Sequence, residues 1–324
     1  MNPFGRLGGR KGRLSPRGRE ALARVLADPT FEVLPLRSVG PQIPVLPAGA
    51  RVSVTASPGK GLEATVDLAA DLERRGFHAV PHLAARMVRD RAHLADLLGR
   101  MGDARLDRAF VVGGDATDSG SYPDGLSLLR AIAELGSPLA SIGIPCYPGG
   151  HAFIAEDRLL GALRAKAEFA AFMTTQLCFG PRKVAGWLAA RRAEGLRLPA
   201  VIGLPGMTEP HRLLAISARI GVRDSRRFLV KNAGLVARLV RSGGFYRPDS
   251  LLAGLARVIA DPVMGVSGLH LYTFNQVGPT EAWRRRSLAR MSAADQEAGE
   301  PEVWVPARPG TGWLSPDDEG RRAG

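Results

Sequence analysis

The sequence predicts an α/β protein whose strands run parallel and close into a (β/α)8 TIM barrel. Three observations carry that expectation. The chain has 324 residues, close to one barrel of about 250 residues with extensions. Eight short runs rich in β-branched and apolar residues recur along it, and amphipathic helical patterns separate most of them. Strands that are apolar on both faces and alternate with helices belong to a parallel sheet covered by helices, and eight such units favour a closed barrel over an open sheet.

The elements follow in order. "SPRGREALARVLADP" predicts an N-terminal helix, with Ser15 as N-cap and Pro16 in the first turn. The strands are "TFEVLP" (30–35), "ARVSVTA" (50–56), "FHAVPHL" (77–83), "RAFVVGGD" (108–115), "PLASIGIPCY" (138–147), "FMTTQLCF" (172–179), "PAVIGLPG" (199–206) and "SGLHLYTFN" (267–275). Helical patterns at 63–76, 90–102, 125–136, 157–170 and 182–195 lie between them, several ended by a glycine suited to a left-handed cap. The first unit is irregular. Three prolines and two glycines in "LRSVGPQIPVLPAG" leave no room for a covering helix, so the first outer helix is expected to be absent and the N-terminal helix to cover the gap. Three helical patterns fill 209–262, and beyond about residue 294 the chain turns to Pro, Gly and mixed charge, with Trp304 and Trp313 as its anchors. The expected organisation is a basic arm and helix (1–28), a catalytic barrel (29–293) and an irregular C-terminal tail (294–324).

Composition narrows the function. At 45% hydrophobic and 23% charged residues, the chain is globular in character, and no apolar run approaches the roughly 18–20 residues that span a bilayer. The N-terminus lacks the apolar core of a secretory signal, so a cytoplasmic protein is expected, with no membrane partner. Cys146 and Cys178 have no metal-ligand spacing and read as two buried thiols; no metal site is expected. The net charge is +13, of which +6 falls within residues 1–24, and only five lysines occur. Such a distribution describes solvated helix faces and a basic arm, and argues against a nucleic-acid groove. Assembly into a homo-oligomer stays open.

In a barrel of this kind, function sits at the C-terminal ends of the strands. The polar residues there are Glu32, Thr55, His82, Asp115, Tyr147 and Gln176, one from each of the first six strands in order. Each alone has a structural explanation, as buried polar groups usually do. Together they mark one rim. The apolar flanks of Glu32 (Phe31, Val33, Leu34) set its environment apart from that of Asp115, as the two halves of an acid/base site require. "SPGKG" (57–61) lacks the phosphate-loop spacing, and there is no G-x-G-x-x-G. The glycines of "VVGGDATDSGSYPDG" and "YPGGH" leave space for a flat cofactor on the rim.

These residues resemble the 5,10-methylenetetrahydrofolate reductases. "FEVLP" looks like the family's first strand (Phe-Glu-Phe-Phe-Pro-Pro), "VSVT" and "VPHL" its second and third, "GGDATDSGSY" its Arg-Gly-Asp segment with a following tyrosine, "YPGGH" its Tyr-Pro-Glu-x-His segment, "TTQLCF" its Thr-Gln strand, and "LHLYTFN" its last strand. The likeness runs in order over about residues 30–280. It implies an FAD-bearing barrel in which NAD(P)H, as co-substrate, reduces the flavin and the flavin reduces methylenetetrahydrofolate. It implies Glu32 as general acid and, with Gln176, as a folate contact. Asp115 is implied beside flavin and pterin, and Thr55, His82, Gly114, Tyr122, Tyr147 and His151 as flavin contacts, with Lys166 at the FAD phosphates. The chain departs from the pattern at Gly113, where the family has arginine, at Leu159, where it has an acid unless Asp157 substitutes, at Leu36, at Pro210, and in the missing glutamate of "YPGGH". Two alternatives stay open: a divergent paralogue in a tetrahydrofolate-linked demethylation route, and a non-catalytic folate-binding barrel.

Overall fold

The computed structural model describes residues 14–116, 119–209 and 246–299. Helix α1 (Pro16–Ala27) begins where Ser15 Oγ accepts the Gly18 N–H at 3.1 Å. There follow β1 (Thr30–Val33), a 3-10 helix (Gly40–Val45), β2 (Arg51–Val54), α2 (Gly61–Arg74), β3 (His78–Ala84), α3 (Arg91–Asp103), β4 (Arg108–Val112) and α4 (Gly125–Leu135). The second half of the barrel has β5 (Ser141–Cys146), α5 (Glu156–Ala167), β6 (Phe172–Thr175), α6 (Pro181–Ala193) and β7 (Ala200–Pro205). It ends with α7 (Asp249–Ala260), β8 (Val266–Tyr272) and α8 (Val277–Gly299). Local chemistry sets the boundaries. Asp90 caps α3, Asp124 and Ser127 form a capping box at α4, and Gly136 ends α4 at φ +70°, where a side chain is disfavoured.

Each strand pairs in parallel with the next, and β8 returns to β1, so the eight strands form one closed barrel. All eight expected strands are present. The basic residues 1–13, the helical patterns within 210–245, Pro210, and the tail from 300 with Trp304 and Trp313 lie outside the described residues. Among the described residues no helix is long and apolar enough to cross a membrane. Cys146 and Cys178 are both buried thiols.

A short 3-10 helix with Pro41 and Pro44 stands in place of the first outer helix, inserting the buried Ile43. The expected place of α1 is corrected: α1 packs against α7, α8 and β8, while the 3-10 helix packs against α8. The buried guanidinium of Arg284 on α8 explains this placement. Its Nη1 donates to Leu26 O at 2.9 Å and Ala27 O at 3.4 Å, satisfying carbonyls that the end of α1 leaves open. Its Nε and Nη2 donate to Glu281 at 2.6 and 2.9 Å. Helix α8 also carries the chain past the expected boundary at 293, to Gly299; Ala, Gln and Glu in "SAADQEA" favour helix, and Pro279 falls in the first turn, where its missing N–H costs nothing.

Residues on the outward faces of the strands, including Phe31, Val33, Val52 and Val54, are fully buried in the hydrophobic core. Inside the barrel, Phe110 and Phe172 meet with ring centroids 6.3 Å apart, across Gly143. A Cβ on Gly143 would overlap both rings, approaching Phe110 to 2.6 Å. These two aromatic rings help to fill the barrel's interior. Gly143→Ala is expected to lower stability by about 1–3 kcal/mol in urea denaturation, as overpacking does, and adding Phe172→Leu is expected to recover part of that loss.

Candidate active site

In β1, burial alternates along Thr30–Val33. Phe31 and Val33 point outward beneath the helices, so Glu32 points into the barrel. The apolar flanks therefore do not surround the carboxyl as the sequence suggested, because neighbouring residues of a strand face opposite sides. Two imidazoles surround it. Glu32 Oε2 lies 3.0 Å from His270 Nε2 on β8 and 3.9 Å from His82 Nε2 on β3. His82 Nε2 lies 2.7 Å from Ser53 Oγ on β2. The two histidines are buried and Glu32 is partly buried, with 14% of the Glu32 side chain, 9% of His82 and 5% of His270 exposed.

Barrel closure makes this cluster. β1 pairs with β8 in the register Thr30↔His270 and Glu32↔Tyr272, and with β2 at Glu32↔Ser53. The chain after β8 then locks the end of β1. Thr273 Oγ1 donates to Glu32 O at 2.5 Å, and Asn275 both accepts from Leu34 N at 2.8 Å and donates to Leu34 O at 3.3 Å. Phe274 and Asn275 take φ values of 51° and 57° to make that turn, and asparagine tolerates this region well.

Burial pushes the His82 pKa down to about 4; the charge of Glu32 opposes the shift and that of His270 adds to it. His82 is therefore uncharged at neutral pH. Burial likewise holds the Tyr272 phenol well above its usual value, with the charge of Glu32 adding. The Tyr272 hydroxyl donates to Thr175 O at 3.0 Å, and its ring lies 4.9 Å from that of His270. Gly203 permits this placement, since a Cβ there would come within 2.6 Å of the Tyr272 ring.

A second group lies on the rim. The Tyr147 and His151 rings meet edge to face at 5.6 Å, and His151 and Phe153 at 6.1 Å. Phe153 is 88% exposed. Burial raises the Tyr147 pKa to about 12, with Cys146 and Asp115 adding. Burial lowers that of His151, with Asp115 opposing. The exposed Asp115 thus acts electrostatically on both rings. Gln176 joins this side through its N–H, which donates to Cys146 O at 2.8 Å, while its Oε1 accepts from Leu177 N at 2.8 Å.

Thr55 extends the β2 ladder by donating its N–H to Val33 O at 2.9 Å. It shares the inward face with Ser53, and its Oγ1 is buried without a partner among the described residues. Gly114 takes φ +87° with its Cα side against Ala84, and Gly113 has open space where a Cβ would stand. Tyr122 packs into the hydrophobic core at 8% exposure and is not brought to the cluster. Lys166 lies on α5, where burial lowers its pKa against the opposing fields of Asp124 and Cys146. Asp157 is exposed and Leu159 half-buried on the same helix.

Sequence reasoning missed His270, Ser53 and Tyr272. The alternation in "VSGLHLY" carried the signal, since His270 and Tyr272 stand two apart on one face of a strand. A cleft of about 230 Å³ between α5 and α6, lined by Leu160, Leu163, Arg164, Arg191, Glu194 and Leu196, lies in the outer helical layer. It includes none of the inward-facing polar groups, which gather in the barrel.

No family model matches the chain. Among solved structures, the chain is similar to a protein described as a lyase/mutase from Burkholderia cenocepacia J2315. Identity is 14% and the TM-score 0.42, over 87% of this chain and 89% of that one. A protein described as a phosphonomutase from the same organism matches at 12% identity and a TM-score of 0.45, over 88% and 100% of the two chains. A plant class V chitinase mutant from Cycas revoluta, solved with (GlcNAc)3, matches at 9% and 0.43, over 82% and 99%. The fold assignment rests on the chain's own closed strand ladder.

The His82 environment has a measurable consequence. Unfolded, His82 titrates near 6.5, and folded near 4, so between those values the unfolded chain binds the extra proton and stability falls as pH falls. The expected loss is roughly 3 kcal/mol between pH 6.5 and 4. Urea midpoints of the wild type and His82→Gln at pH 7 and 4.5 check this, and the variant is expected to lose less stability on acidification.

Proposed function

We propose that this barrel is a flavin-dependent reductase of the methylenetetrahydrofolate reductase type, acting on 5,10-methylenetetrahydrofolate with NAD(P)H. The observation that carries the reading is the partly buried Glu32 carboxyl held between His270 and His82 inside the barrel. A carboxyl group so placed can deliver a proton to a ring nitrogen of a bound substrate. In this reading Glu32 protonates the nitrogen at position 10, the bond from that nitrogen to the bridging methylene breaks, and the methylene remains on nitrogen 5 as an iminium. Hydride addition to that carbon then gives the methyl group.

FAD, when bound and reduced by NAD(P)H, supplies the hydride. The residues present fit it at the ring end. The orphaned Thr55 hydroxyl would offer a hydrogen bond, Gly113 places no side chain in the way, and the Tyr147 and His151 rings, packed edge to face, would offer aromatic contacts. At the phosphate end Lys166 on α5 would supply the positive charge. Asp115 would set the charge near flavin and pterin, and the amide NH2 of Gln176 would donate to the folate.

A second reading draws on Gly113 and Leu159, which remove a positive and a negative side chain that the family pattern carries. It is a divergent tetrahydrofolate-linked demethylation paralogue, or a non-catalytic barrel that binds folate. Glu32→Gln separates enzyme from binder. The reductase reading expects methylenetetrahydrofolate reduction to fall at least about 100-fold, the scale of a lost general acid, while NADH still bleaches bound flavin at a rate within several-fold of wild type. Equal turnover by both proteins overturns it, and absence of turnover in the wild type favours the binder.

A further inference from the structure

The imidazole of His82 meets Ser53, Glu32 and Phe110 inside the barrel. Its Nε2 edge turns inward, 2.7 Å from Ser53 Oγ and 3.9 Å from Glu32 Oε2, with its ring 4.8 Å from that of Phe110. Ser53 is 1% exposed, out of reach of any ligand in the barrel mouth. Its hydroxyl has a second partner, Val80 O at 3.4 Å. If the Ser53 O–H donates to that carbonyl, its lone pairs accept the N–H of His82. The ring is then fixed by Ser53 and Phe110, and Glu32 keeps its direct hydrogen bond to His270 alone.

We propose that Ser53 is a positioning residue for the proton on Glu32. Its hydroxyl engages His82 Nε2 at 2.7 Å and keeps it 3.9 Å from Glu32 Oε2, so that the imidazole does not take a hydrogen bond from Glu32. This rests on the reading of Glu32 as the acid. The titratable groups facing His82 are Glu32 from β1 and His270 from β8; Ser53 on β2 and Phe110 on β4 bring no charge. Without the serine hydroxyl, the His82 N–H is free to swing onto Glu32, and this second hydrogen bond, added to that of His270, favours the carboxylate over the protonated acid. The acid would then be spent before substrate arrives.

The test uses the full chain and has two arms. Histidine-ring NMR titrations need no activity. Ser53→Ala is expected to raise the His82 midpoint by about one pH unit, Ser53→Thr to keep it near wild type, and Glu32→Gln to lower it in an otherwise wild-type chain. An unchanged midpoint in Ser53→Ala overturns the proposal. Should Ser53→Ala fail to fold, an unchanged midpoint in Glu32→Gln overturns it instead. In the second arm, Ser53→Ala is expected to move the pH profile of kcat to lower pH and leave KM for the folate within about twofold, with the profile restored in Ser53→Thr. A change confined to KM overturns the positioning role. A wild type without reductase activity defeats the reading of Glu32 as acid, and the NMR arm still decides whether Ser53 holds His82.

Discussion

The seam between β8 and β1 is the constraint on which the site depends. A carboxyl group lodged inside a barrel is costly unless it finds a hydrogen-bond partner, and β1 by itself supplies none. Closure brings His270 onto Glu32, and the register of that seam decides which side chain arrives. A slip of one residue would turn His270 into the outer layer and present Leu269 or Leu271 to the carboxyl. The chain beyond β8 protects against such a slip. Thr273 and Asn275 hold the backbone at Glu32 and Leu34 from the β8 side, so the strand that supplies the histidine also pins the strand that supplies the acid.

From that seam the site extends in two directions. Toward β2 and β3 the polar chain continues through His82 to Ser53, buried and closed to solvent. Toward β6 and β7 it continues through Tyr272, which crosses Gly203 to reach a carbonyl of β6. Glu32 therefore stands between two imidazoles, His82 from β3 and His270 from β8, with the Tyr272 phenol beside His270. The rim group of Asp115, Tyr147 and His151 is more exposed and is joined to this interior by electrostatics: the charge of Glu32 and the phenol of Tyr147 both act on Tyr272.

The strands were legible in the sequence because each is a short apolar run, rich in Val, Ile and Phe, bounded by Gly, Pro or charge. The irregular first unit was legible from its prolines. What the sequence did not disclose was long-range. The place of α1 depends on the Arg284 guanidinium some 250 residues away, which no local pattern announces. The polar rim was read from strand ends, and that placed Glu32, His82, Tyr147 and Gln176 on inward or rim positions. The same reading credited Phe31 and Val33 with shielding Glu32, an error that strict alternation along β1 would have prevented. His270 was passed over because it lies mid-strand, two residues before the tyrosine, and only closure brings it to the acid.

The measurement that bears most directly on the account is an anaerobic absorbance titration of the full chain incubated with FAD, first with NADH and then with 5,10-methylenetetrahydrofolate. Flavin bands are expected to remain with the protein, bleach on reduction and return when the folate is added. A protein that retains no flavin, and oxidises no NADH when the folate is supplied, would contradict the reductase reading.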